Sequence, residues 1–144
     1  MKKVGLIMSL TLMLLSLMAC GNNAETTKLE QRKTASWQIT PTKIVQQDSS
    51  EKGKKELVIS YKVKNISKKE QGIVAADFFL TDNDEHYFYA KGSLKNINEV
   101  VKPGDEKEGK GYYIIPKDLK KADLIYSPIN SEEKTTWKNL SIQN

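Results

Sequence analysis

Glu56–Asn65 reads "ELVISYKVKN", and its alternation decides the fold. Leu57, Ile59, Tyr61 and Val63 share one parity, while Ser60, Lys62 and Lys64 share the other. A period of two marks a β-strand with one face buried and one in water, because successive side chains leave a strand on opposite sides. A one-residue slip would drive the lysines into the core, so the pairing of this strand is well specified.

The flanking sequence has the same character. "SWQITPTKIVQQ" (36–47) reads as a strand interrupted by Pro41, whose missing N–H predicts an edge position. "ADFFLTDNDEHYFYA" (Ala76–Ala90) carries two aromatic runs around Thr81 to Glu85. Its centre, Asp82-Asn83-Asp84, tolerates turn dihedrals, which predicts a β-hairpin. In "VVKPGDE", Pro103 presets the first turn dihedral and Gly104 accepts the positive φ of a type II turn. A strand follows through Tyr112 to Ile115, stopped by Pro116, and "PKDLKKA" reads as a turn or a single helical turn. "ADLIYSP" and "TTWKNLSIQ" complete the set. About seven strands, with turn signals every 8 to 12 residues or so, predict an all-β protein built as a β-sandwich. Trp37 and Trp137, near the two ends of the domain, are expected to help close its core.

The N-terminus is different. Met1-Lys2-Lys3 precedes an apolar run from Val4 to Met18. At about 15 residues, this run suits a signal-peptide core and falls short of the 18 to 20 or so that span a bilayer. It ends Leu17-Met18-Ala19-Cys20, which resembles the lipobox of bacterial lipoproteins: aliphatic, variable, small, then cysteine. The resemblance implies cleavage between Ala19 and Cys20 and a lipid joined to the Cys20 sulfur. One acyl chain, at about 0.8 kcal/mol per buried CH₂, anchors only marginally, whereas the diacylglyceryl group of lipoproteins supplies two. Residues 22–35, "NNAETTKLEQRKTA", are polar and without periodicity, and they read as a flexible tether. The expected organisation is therefore a signal peptide over 1–19, a lipidated cysteine and tether over 20–35, and one domain over 36–144.

Removing Lys2 and Lys3 with the leader leaves 21 basic against 18 acidic residues, a net charge of about +3 rather than +5. Such an excess suits a soluble lysine-rich surface, and no nucleic-acid motif accompanies it. Cys20 is the single cysteine, so no disulfide is available and the domain must rely on its core. The lysine-, asparagine- and isoleucine-rich composition is similar to that of AT-rich Gram-positive bacteria.

The order of "ELVISYKVKNIS", "DFFLTDNDEHYFY", "VKPGDEKEGKGYYIIPKDL" and "ADLIYSP" resembles the DUF4352 family of bacterial exported lipoproteins. The shared pattern is an alternating strand ending in Asn, a D-F-x-L-x-D hairpin, a P-G turn, and a strand closing in Pro. It extends over about Trp37 to Ile142. The family is similar in turn to an immunoglobulin-like sandwich of the kind in a mycobacterial secreted antigen, MPT63. The chain departs from the family pattern at Glu85, where a glycine is usual, and in the charged "GDEKEGKG". The family has no established chemical activity, so the resemblance implies an immunoglobulin-like fold and an exported location.

Residues for catalysis are few. His86 is the single histidine, and with Cys20 lipidated a Cys/His pair is excluded. A Ser-His-Asp set would have to use His86 with Asp82 or Asp84, and no strained nucleophile turn accompanies it. Asp82, Asp84, Glu85 and His86 could offer a metal three carboxylates and one nitrogen. An EF-hand counted from Asp82 would need glycine and glutamate where Tyr87 and Ser93 stand, and structural zinc needs more His or Cys. The hairpin tip therefore reads as solvated, and His86 as part of a half-exposed hairpin strand. Gly104, Gly109 and Gly111 lack the spacing of a phosphate loop and read as turn residues. Phe78, Phe79, Tyr87, Phe88, Tyr89, Tyr112 and Tyr113 exceed what one inward face can hold, so some must lie outside the core.

The sequence thus predicts a non-catalytic envelope lipoprotein with no catalytic residue, metal or cofactor. Its expected place is the outer face of the cytoplasmic membrane, anchored through Cys20. The expected partner is an envelope protein or glycan and not a nucleic acid. The rival expectation is an envelope hydrolase or metal-dependent factor working through the Asp82–His86 hairpin.

Overall fold

The computed structural model describes residues 29–142, in which the strands form three antiparallel sheets. In chain order they are β1 (Arg32–Lys33), β2 (Trp37–Asp48), β3 (Lys54–Asn65), β4 (Gln71–Val74), β5 (Phe78–Thr81), β6 (Tyr87–Tyr89), β7 (Asn98–Val101), β8 (Glu106–Pro116), β9 (Lys121–Tyr126) and β10 (Thr135–Ser141). A 3₁₀ turn at Ala75–Asp77 leads into β5. One sheet runs β1-β2-β3-β8, the facing sheet β10-β9-β5-β6, and β4 pairs with β7 alone.

The two sheets form the all-β sandwich that the alternation of β3 predicts. Leu57, Ile59, Tyr61 and Val63 are all buried, and they meet Phe78, Leu80, Leu124 and Trp137 of the facing sheet in one core. Tyr61 stacks on Phe78 with ring centroids 4.3 Å apart, and Phe78 lies 5.0 Å from Tyr126. Both tryptophans are buried in this core, as expected. Ten strands replace the expected seven or so. The additional three, β1, β4 and β7, have two to four residues each, too few for a period of two to register.

Two local expectations need correction. First, the domain starts earlier than residue 36: β1 pairs Arg32 with Ile39 and Lys33 with Gln38, and Leu29 packs against the core. Two paired residues flanked by one leucine carry no periodicity, so this docked stretch reads as tether. Second, Gly109 and Gly111 are not turn residues, because β8 begins at Glu106 and pairs them with Tyr61 and Ile59. A Cβ on Gly109 would come within 2.6 Å of the Ile97 side chain, and one on Gly111 within 2.6 Å of the Tyr113 hydroxyl. Glycine stands there because another side chain occupies the space, a regular meaning of glycine inside a strand. Of the two forms expected for "PKDLKKA" the chain takes the turn, with the Leu119 N–H donating to the Pro116 carbonyl at 3.2 Å.

Pro41 sits where the ladder tolerates it. The β2–β3 register shifts between Pro41 and Lys43, and β1 covers only Gln38 and Ile39, so residue 41 has a free edge on its far side. The bulge also changes the phase of β2. Before it the odd residues Trp37, Ile39 and Pro41 are buried; after it Ile44 turns inward and Lys43 and Val45 turn outward. Gly104 takes a φ of 82°, and the Asp105 N–H donates to the Lys102 carbonyl at 3.0 Å, closing the turn expected at Pro103-Gly104.

Candidate functional site

The expected hairpin forms: Thr81 pairs with Tyr87, Leu80 with Phe88 and Phe79 with Tyr89. Its turn is built around Asp82. The Asp82 Oδ1 accepts from the backbone N–H groups of Asp84 and His86, each at 2.9 Å, and Glu85 takes a φ of 61°. Glu85 thus holds the left-handed conformation for which the family pattern uses glycine. His86 lies in this turn, one residue before β6, and not on a strand as expected.

The His86 Nδ1 lies 2.9 Å from the Asp82 Oδ2, with the histidine side chain 67% exposed and the carboxylate 15% exposed. The hydrogen bond to Asp82, its charge and the more distant charge of Asp84 raise the His86 pKa above its ordinary value of 6.5. Partial desolvation pushes the Asp82 carboxyl up. The His86 N–H, the His86 ring and the Asp84 N–H outweigh it and leave the carboxyl below its ordinary 3.8. A raised histidine contributes stability below about pH 6.5 that fades as pH climbs through its folded value. A lowered carboxylate contributes above about pH 3.8 and fades as pH falls through its own folded value. The tip is held best between those two limits.

One oxygen each from Asp82 and Asp84 and a His86 nitrogen lie within 4.8 Å of one another. These three of the four expected donors are brought together; Glu85 is not part of the cluster. Among the described residues, the ring of His86 has Asp82 as its hydrogen-bond partner and no serine.

The hairpin also divides the aromatics. Phe78 and Tyr113 are in the core, Phe88 packs against it, and Tyr112 lies on the outer face of the other sheet. Tyr87 and Tyr89 project from the outer face of β6, 54% and 62% exposed. With Phe79 they form a strip whose ring centroids are 5.5 to 6.5 Å apart. The surplus of rings over inward positions put some of them outside the core, without gathering them into a strip. Its location was not readable, because strand parity alone does not say which sheet face meets the partner sheet. Ala19 and Cys20, the expected cleavage and lipidation residues, lie outside the described residues. Among the described residues no helix is long and apolar enough to cross a membrane.

Sandwich topology and strand order define an all-β domain of the immunoglobulin-like kind. The chain belongs to the DUF4352 family, described as a domain of unknown function, whose pattern matches residues 20–136. No curated protein matches the sequence at a significant level. Among solved structures, ycdA of Bacillus subtilis, a candidate lipoprotein, superposes with a TM-score of 0.65 at 17% identity. That alignment covers 79% of this chain but only 39% of ycdA, so the chain spans about two fifths of that protein's length. The yjhA protein of Bacillus subtilis gives 0.62 at 18% identity, covering 76% of this chain and 95% of its own. A β-sandwich protein of Clostridium difficile gives 0.52 at 16% identity, covering 76% and 89%. At these identities the likeness establishes the fold.

Proposed function

We propose that this chain is a cell-envelope lipoprotein of a Gram-positive bacterium. It is cleaved before Cys20, lipidated there, and displays its sandwich outside the cytoplasmic membrane as a non-catalytic binding domain. The observation that carries the reading is the Leu17-Met18-Ala19-Cys20 sequence at the end of a short apolar leader. The family match beginning at residue 20, the predicted new N-terminus, accords with it. The Phe79, Tyr87 and Tyr89 strip is the surface offered to an envelope protein or glycan. Exposed rings bring large contact area at low entropic cost, and tyrosine adds a polar tip. Metabolic labelling with a fatty-acid analogue tests the anchor. Wild type is expected to take up label and Cys20→Ala to take up none, and equal labelling of both would overturn the reading.

A second reading, a metal-dependent factor or hydrolase at the hairpin, is favoured by the Asp82, Asp84 and His86 donors lying within 4.8 Å of one another. A titration of the His86 ring by NMR separates the two. Without metal, the midpoint is expected above 6.5, because Asp82 favours the protonated ring. A zinc ion bound at the tip would compete with the proton and pull that midpoint down. On the non-catalytic reading, micromolar Zn²⁺ leaves the curve unmoved.

A further inference from the structure

We infer that the outer face of the β2-β3-β8 sheet is a binding groove for a phosphate ester. The groove has a volume of about 360 Å³ and is lined by Lys43, Lys91, Lys95 and Lys110, with Glu56 as its one acid. That volume falls in the usual range of small-ligand sites.

Charge pairing on this face is uneven. Toward one end, Lys62 and Lys64 of β3 face Glu108 and Glu106 of β8 in register, and the Lys62 Nζ lies 2.9 Å from the Glu106 carboxylate. Toward the other end Glu56 is the one acid of the groove. Ser60 is flanked by Lys43 and Lys110, and Val58 by Val45 and Tyr112. The Glu56 carboxylate, nearly buried, is occupied by Lys91 and by the Gln47 amide. Lys43, Lys95 and Lys110 form no ion pair among the described residues. Four lysines against one glutamate give the groove +3, as large as the net charge of the whole chain from Cys20 onward. The charges outside the groove therefore sum to about zero.

The fold brings these lysines together and holds the wall in place. The bulge at Pro41–Lys43 turns Lys43 outward. The segment after β6 runs along the free edge of β8, the Lys91 N–H donating to the Tyr112 carbonyl at 2.8 Å and the Ile97 N–H to the Lys110 carbonyl at 2.7 Å. Asn96 clamps it from within. Its amide donates to the Lys91 carbonyl at 2.7 Å and its oxygen accepts from the Tyr112 N–H at 3.1 Å. The groove contains no arginine, the residue that grips a flat carboxylate in two parallel bonds. Separate ammonium groups from β2, β8 and the edge segment suit an anion whose oxygens point in several directions, as those of phosphate do. The floor of Val45, Val58 and Tyr112 suits the carbon body of an ester.

The inference rests on the reading of the domain as a non-catalytic binder, but not on the lipid anchor. Its failure would leave the Cys20 labelling result standing. The test uses the protein purified from its membranes into micelles of a neutral detergent. It is titrated calorimetrically with the soluble diester glycerophosphoglycerol and, separately, with phosphatidylglycerol carried in the same micelles, with phosphatidylcholine as control. Saturable binding of the soluble diester supports the inference and assigns a free ester. Binding of the lipid alone supports it and assigns a headgroup. Lys43→Gln/Lys95→Gln/Lys110→Gln is expected to weaken binding about tenfold or more, the scale of several charge-assisted contacts. The charge-matched Lys52→Gln/Lys68→Gln/Lys102→Gln, elsewhere on the surface, is expected to change it less than about twofold. Glu56→Gln, which frees Lys91, is expected to tighten binding, a gain that misfolding cannot mimic. The inference is overturned if neither probe saturates, if the two triple variants weaken binding equally, or if Glu56→Gln brings no gain.

Discussion

Replacing Asn65 with leucine is expected to lower the unfolding free energy by about 3 kcal/mol, although leucine is similar in size and more apolar. Asn65 is fully buried at the end of β3. Its amide donates to the carbonyls of Lys69 and Val101, each at 2.7 Å. Its oxygen accepts from the Ser67 N–H at 2.9 Å and the Ser67 hydroxyl at 2.7 Å. One side chain thus fixes the turn after β3 to β7. The Asn65 main chain holds the Pro103-Gly104 turn as well, donating to the Asp105 carbonyl and accepting from the Gly104 N–H. Leucine would leave the Val101 carbonyl buried without a partner, at about 1–3 kcal/mol, while the more exposed partners recover part of their loss from water. Ser67→Ala removes one contact and is expected to cost less than about 1 kcal/mol. Urea denaturation followed by the fluorescence of Trp37 and Trp137 measures both variants. A leucine variant within about 0.5 kcal/mol of wild type would show that Asn65 does not hold these turns.

The asparagine that closes "ELVISYKVKN" was visible in the sequence as part of the family pattern, whereas its task was not. The same division runs through the molecule. Period-two alternation in β3 and the aromatic hairpin could be read directly, because each face is uniform over several residues. β2 was legible as a strand but its buried face was not, because its bulge moves the buried set from odd to even residues partway along. β10 behaves alike: a register shift between Trp137 and Leu140, with Asn139 at a φ of 52°, turns both of those residues inward though they are three apart. "GDEKEGKG" looked like a loop because its alternating charges and glycines resemble one. Its Glu106 and Glu108 face Lys64 and Lys62 of β3, and the two glycines make room for Ile97 and Tyr113. The hairpin donors could be listed from residues adjacent in sequence. The lysine groove could not, since Lys43, Lys95 and Lys110 meet only after three elements separated along the chain are placed side by side.

Trp137→Ala is expected to cost about 4 kcal/mol, the upper range for emptying a large core site, and a large share of the 5–15 kcal/mol or so that stabilises a domain of this size. The indole is buried between the sheets, opposite Leu124 on β9. It also does something a hydrocarbon could not: its Nε1–H donates to the Glu30 carbonyl at 2.6 Å, across 107 residues of sequence. That bond, the short β1–β2 ladder and Leu29 hold the start of the domain in place. Trp137→Phe separates the two roles. Phenylalanine keeps most of the packing and loses the donor, so its global cost is expected near 1–2 kcal/mol. The N-terminal stretch, however, should open far more readily than the sandwich, since local unfolding follows the few contacts that hold a segment. Limited proteolysis measures this directly: cleavage at Arg32 or Lys33 is expected to accelerate in the phenylalanine variant while the remaining domain stays intact. Equal cleavage rates in wild type and variant would mean that the indole N–H does not fasten this segment.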